Sequence, residues 1–244
     1  VNIALTTSAA LTVTNAGTAT VGALITSGGT TTFNGTGAIT LGANIASTGA
    51  VNIAGSVLTL TGDRQIGTTN AAITLDEILT DTNNDHVLTL VAGNAAIIID
   101  DNVGVNGANV LRGLVISSAT DVTLSGGAAT VDLGAGGLTV TSATGDLEFD
   151  AAVNVASAVD INTATLTLDA ALTTTGSNNI TVTNTGTAAL GATLTSGGTV
   201  TFDSTGGITL GANIASTGLV NITGSALTLT GDRQIGTTNA AITL

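Results

Sequence analysis

Cysteine, proline, methionine, tryptophan, tyrosine and lysine are all missing from the 244 residues. Without cysteine there is no disulfide scaffold, although secretion stays open. Without proline, nothing bars a backbone N–H from joining a β ladder. Aromatics are 1% of the chain, namely Phe33, Phe149 and Phe202. The exposed aromatics that are enriched where proteins grip a partner are therefore lacking. Cations are as scarce, with Arg64, Arg112 and Arg233 facing sixteen Asp and Glu for a net charge of −13. That balance speaks against nucleic acid, whose phosphates are bound by Lys and Arg. It speaks equally against an anionic membrane surface. No apolar run approaches the ~20 residues of a membrane span, because Thr and Asn interrupt every one. Trypsin finds almost nothing to cut.

What is present is small, aliphatic and repetitive. Gly, Ala, Thr, Asn and Ser dominate, and 43% of residues are hydrophobic. Disordered chains are poor in β-branched and aliphatic residues, so this is not their composition. The stretch ITLGANIASTG occurs at 39–49 and again at 208–218. Residues 1–75 match 170–244 at about seventy per cent of positions, and Leu58 to Leu75 is identical to Leu227 to Leu244. Residues 1–169 thus form one period and 170–244 the first part of the next. A chain that starts on Val1, lacks Met and stops mid-period reads as a window on a longer repetitive protein.

Three- to five-residue strings with alternating apolar and polar positions recur throughout: LTVT, AITL, AVNI, VLTL, DVTL, TVDL and DLEF. That alternation is the signature of a half-buried strand. It places Leu58 and Leu60 inside with Thr59 outside, Val51 and Ile53 inside with Asn52 outside, and Leu147 and Phe149 inside with Glu148 outside. Gly- and Asn-rich turns such as NAGT, SGGT and STGA lie between, where φ > 0 is to be expected. No useful stretch has helical periodicity. Similar strands return every 19 to 25 residues, at Thr12, Thr32, Asn52 and Thr74, then at Thr139, Asp160, Thr181, Thr201, Asn221 and Thr243. The spacing predicts an all-β parallel β-helix, one continuous solenoid of about 12 coils, 20–21 residues each, with eight coils to a 169-residue period. Each coil buries its apolar face only against its neighbours. Neither end carries a recognisable cap, so the ends invite further coils, covalent or docked.

The strings STGAVNIAGSVLTLTGD (47–63) and GITLGANIASTGLVNITGSALTLTGD (207–232) resemble the repeats of filamentous-haemagglutinin-type secreted proteins, giant bacterial adhesins and some surface-layer proteins. The resemblance implies a right-handed β-helix, export to the bacterial surface, and a role as stalk, filament or adhesin segment. It brings no catalytic residues. The expected partners are further copies of the same repeat, end to end or laterally, with neither nucleic acid nor membrane insertion.

Few residues offer chemistry. In DEILTDTNNDH (76–86), Asp81, Asn83 and Asp85 have the alternate-oxygen spacing of a calcium loop. The glycine that should follow is His86, and no Glu closes the loop. The competing expectation is a solvated loop with an exposed histidine. Ca2+ is the only cofactor the sequence raises. Asp100 and Asp101 read as a strand-ending turn, and GGAATVDLG (126–134) misplaces the Asp of a repeat-in-toxin motif. Asp146, Glu148 and Asp150 set three carboxylates on one outward face, as a glycosidase on a β-helix would, but without cationic or aromatic sugar platforms. With one His and no Cys, a nucleophilic triad is not expected, and the chain is read as no enzyme. Arg64 and Arg233 hold the same place in the two copies of TGDRQIG, as turn ion pairs with the preceding Asp or as contacts between rods. Outward TxT pairs would suit ice binding only if they lined up on one face, and their spacing predicts that they do not.

Overall fold

A computed structural model describes residues 3–81, 83–104, 110–125 and 130–244. Among the described residues it contains 28 β-strands in one sheet and no helix long and apolar enough to cross a membrane. The strand pairings are parallel and join each strand to one about a turn away in sequence. The chain is therefore a parallel β-solenoid.

Three columns of strands run its length. The first begins Leu5, Ile25, Ile45, Ile66. The second begins Leu11, Thr31, Val51, Ile73. The third begins Ala19, Ile39, Leu58, Leu79. Each column is one face, and a turn of chain crosses all three. The first face carries twelve strands, which gives about eleven turns. At ~4.8 Å per strand spacing, the stack rises roughly 50–55 Å.

The interior follows the period-2 phase set by the sequence. Leu58 and Leu60 are buried, as are Val51, Ile53, Val131, Leu133, Leu147 and Phe149. Their outward neighbours Thr59, Asn52, Asp132 and Glu148 are half-buried on the outer surface. Leu, Ile and Val fill most of the core, and Phe33, Phe149 and Phe202 are all inside.

The same phase carries some polar residues inward. Ser27 and Ser47 continue the inward positions of Ile25 and Ile45. Both hydroxyls donate to the Gly29 carbonyl oxygen, at 3.0 and 2.6 Å, which satisfies a corner that would otherwise bury bare backbone. In the second copy Ser196 and Ser216 are likewise buried, and Ser216 donates to Gly198.

Most turn glycines are not there for positive φ. Gly37 and Gly206, equivalent in the two copies, lie outside the positive-φ set. A Cβ on either would collide with the carbonyl oxygen of Gly17 or Gly186 in the coil before. Close stacking demands glycine there, whereas Asn70 and Asn239, at φ 54 and 59, are turn residues of the kind expected.

The coils are not uniform. First-face steps are twenty residues from Leu5 to Ile25 and from Ile25 to Ile45. They stretch to twenty-four from Ile66 to Leu90, twenty-six from Leu90 to Ile116 and twenty-four from Ile116 to Val140. These longer turns reduce the count from about 12 to about eleven. They also change the phase of the duplication. Ile25 lies under Ile45, Ile66, Leu90, Ile116, Val140, Ile161 and Val182, seven turns up the first face. Its counterpart in the second copy, Leu194, stands two faces further on, in the third column. One period is therefore seven turns and two faces, not eight turns. Every strand of the second copy occupies a different face from its twin.

Candidate functional site

The strand Ile73–Asp81 ends in the loop that leads to Val87–Val91. Asp81 is fully buried, and its carboxylate organises that loop. Oδ1 accepts from the Asn83 amide at 3.2 Å and from His86 Nδ1 at 2.6 Å. Oδ2 accepts from the amides of Asp85 at 2.8 Å and His86 at 2.7 Å. Burial is the largest influence on this carboxyl and pushes its pKa up. The His86 side chain and the His86 and Asn83 amides more than offset it, and the net direction is down.

Of the three calcium candidates, Asp81 thus spends both oxygens on N–H donors, while Asn83 and Asp85 are exposed. The groups that come together are Asp81, Asp85 and His86, each with one ligand atom within 4.8 Å of the others. His86 Nδ1 also lies 3.1 Å from Asp85 Oδ1. The histidine is not the exposed loop residue expected. Its side chain is 17% exposed because the buried Asp81 draws the ring in. Thr82, within this loop, lies outside the described residues.

Asp146, Glu148 and Asp150 do share an outward surface, and the next coil adds Asp169. Asp150 raises the pKa of Glu148 most, followed by burial, Asp169 and Asp146. Asp169 was missed in the sequence, although it follows Asp150 by nineteen residues, about one coil. Asp146 accepts a hydrogen bond from Thr165 Oγ1. Asp100 accepts from Ser125 Oγ at 2.8 Å, while Asp101 accepts from the Asn102 amide at 2.6 Å, so the pair diverges. The first four residues of GGAATVDLG (126–134) lie outside the described residues. Its Asp132 accepts from Asn154 Nδ2 at 2.9 Å.

Arg64 does not pair with Asp63. Its guanidinium donates to the carbonyl oxygens of Asp63 at 2.9 Å and Thr61 at 3.3 Å. Asp63 instead faces Arg112 at 3.5 Å, two coils along, and accepts the Val87 amide at 2.8 Å. The partner was hard to see in the sequence because the intervening turns are long. Arg233 repeats the local pattern, donating to the Asp232 carbonyl oxygen at 3.2 Å. Arg64 opens a first-face strand, whereas Arg233 precedes the third-face strand Ile235–Thr237, so the twins project from different sides.

The TxT pairs are also dispersed. Thr139/Thr141 and Thr181/Thr183 run with the first face, Thr12/Thr14 and Thr165/Thr167 with the second, and Thr59/Thr61 with the third.

In the last coil Leu227 and Ile235 pack against the core, while Leu229 is 51% exposed, Ile242 44% and Leu244 71%. Ile208, Ile222, Ala226, Leu227 and Leu244 line a pocket of about 350 Å3 there. At the opposite edge, Leu5, Leu11, Val13, Val21 and Phe33 line another of about 260 Å3.

No protein family matches the chain, and comparison with curated proteins and with solved structures likewise returned no match.

Proposed function

We propose that the chain is a structural segment, a rod or stalk of the filamentous-haemagglutinin and giant-adhesin kind, deployed outside a bacterial cell and without enzymatic activity. The observation that carries this reading is the parallel stack that runs through both copies of the repeat, 28 strands in one sheet among the described residues. Such a stack works by length and stiffness. Each coil supplies backbone hydrogen bonds to the next, and a dry aliphatic interior fixes the register. A surface with three cations and an aromatic content held wholly in the core leaves gripping of a partner to other parts of a longer protein.

The test is electron microscopy of the native material together with its mass under denaturing conditions. Thin fibres whose denatured chain far exceeds 23.3 kDa support the stalk. Compact particles would overturn it. A second reading is a filament or surface layer assembled from separate chains, in which the same parallel strand stacking runs between subunits. It predicts fibres that dissociate in denaturant to a small subunit. Lateral packing through Arg64 and Arg233 would accompany either reading and would loosen when both are changed to Ala. Ca2+ at Asp81, Asn83 and Asp85 would require amide donors to leave the Asp81 carboxylate, and calorimetric titration with Ca2+ tests that directly.

A further inference from the structure

The loop between Ile73–Asp81 and Val87–Val91 holds the one histidine of the chain between two carboxylates. His86 Nδ1 stands 2.6 Å from Asp81 Oδ1 and 3.1 Å from Asp85 Oδ1. The three groups differ in depth. The Asp81 side chain is 0% exposed, that of His86 17% and that of Asp85 60%. Together they make a niche with a buried floor, a half-buried wall and one side open to solvent.

The floor is fixed by the fold. Asp81 takes an inward position of the third face, in register with Leu60. The amides of Asp85 and His86 hold its Oδ2, and that of Asn83 holds its Oδ1. The same amides set the two residues that carry the other donors. Outer contacts of this kind orient the ligands of a metal ion. The Arg112 amide donates to the His86 carbonyl oxygen at 2.9 Å and secures the loop from the next coil, while its guanidinium is turned to Asp63.

The donor set selects the ion. Calcium takes about six to eight ligands and takes them as oxygen. One imidazole nitrogen with two carboxylate oxygens suits Zn2+ and its transition-metal neighbours instead. Bonds of about 2.0–2.2 Å to one ion place its donors about 3.0–3.4 Å apart. The Asp85 contact is already that long, and the Asp81 contact has to open by less than about 1 Å.

We propose that Asp81 Oδ1, Asp85 Oδ1 and His86 Nδ1 form a binding site for a divalent transition-metal ion of the Zn2+ class, with water completing its shell. The ion takes the place of the proton between His86 Nδ1 and Asp81 Oδ1. A neutral ring then carries its proton on Nε2, and an imidazolium gives one proton to solvent. The bound ion ties residue 81 to residues 85 and 86 and braces the first of the long turns, from Ile66 to Leu90. This inference is independent of where the rod is deployed, so the microscopy above can fail without touching it.

The 244-residue chain, stripped with a chelator, is titrated with Zn2+ by calorimetry while long-range 1H–15N spectra follow the imidazole nitrogens. With a single histidine in the chain, those signals belong to His86 alone. One saturable ion per chain is expected, with Nδ1 shifting far more than Nε2 and Ca2+ at equal concentration failing to displace it. Affinity falls about tenfold or more in His86→Gln and in Asp85→Asn. Zn2+ raises the melting midpoint of the wild type and not of these variants. Circular dichroism without metal establishes that the variants are folded, and if they are not, the ring signals of the wild type decide alone. Absence of saturable binding overturns the proposal. So do ring signals unmoved at saturation, which would put the ion at another cluster such as Glu148, Asp150 and Asp169, and so does affinity unchanged in both folded variants.

Discussion

Leu60 and Leu229 sit at the same place in two identical eighteen-residue segments, yet the first is 0% exposed and the second 51%. Ile73 and Ile242 repeat the contrast at 0% and 44%. Much of the local geometry is common to both, since the turn Asn and the folded-back Arg are alike, although Gly62 and Gly231 differ in φ, 159 against 94. Local sequence sets most of a coil's shape, and the neighbouring coil decides whether its apolar side chains leave water. That division separates what each residue contributes to conformation from what it contributes to stability.

The contrast can be broken at several points. Leu60→Ala removes a fully buried side chain and is expected to destabilise by about 2–5 kcal/mol, whereas Leu229→Ala costs below about 1 kcal/mol. Denaturant unfolding of the two variants checks this, and equal losses would show the last coil to be covered in solution. Asp81→Asn disturbs the coil that covers Leu58 to Leu75. Losing charged acceptance of several N–H donors is expected to cost about 1–3 kcal/mol. Because the folded-state pKa of Asp81 is depressed, its stabilisation is present above the unfolded carboxylate value, about 3.9, and lost as pH falls through the folded value. Melts of wild type and Asp81→Asn should therefore converge on acidification below about pH 4. Smallest is the Asp63 pair. Asp63→Asn removes an exposed contact with Arg112 and should cost no more than about 1 kcal/mol, and Asp232→Asn should cost nothing measurable. If the two Asp variants prove indistinguishable, the Arg112 contact contributes nothing.

Much of this architecture was legible because two-residue alternation and a recurrence near twenty residues leave few alternatives. Thr12, Thr32, Asn52 and Thr74 do stack on one another, as do Thr139, Asp160, Thr181, Thr201, Asn221 and Thr243. The two series lie on different faces, and nothing in the strings announces it. The shift accumulates over the long turns between Ile66 and Val140, where the repeat pattern is weakest. The site residues were less legible for a related reason. Asp81 has the spacing of a cation ligand, but its burial and its amide donors depend on how the loop closes beneath His86. Asp169 and Arg112 gain their partners only once neighbouring coils are laid in register.

The two-face offset of the duplication fixes how any decoration is distributed around the solenoid. A feature encoded once per block, such as the Arg64 corner, points along one compass bearing in the first copy and along another in the second. A third block laid by the same rule would take up the last bearing, and a fourth would return to the first. Identical blocks would therefore present their markings like treads of a spiral stair, on each side in turn, while repeating a single sequence.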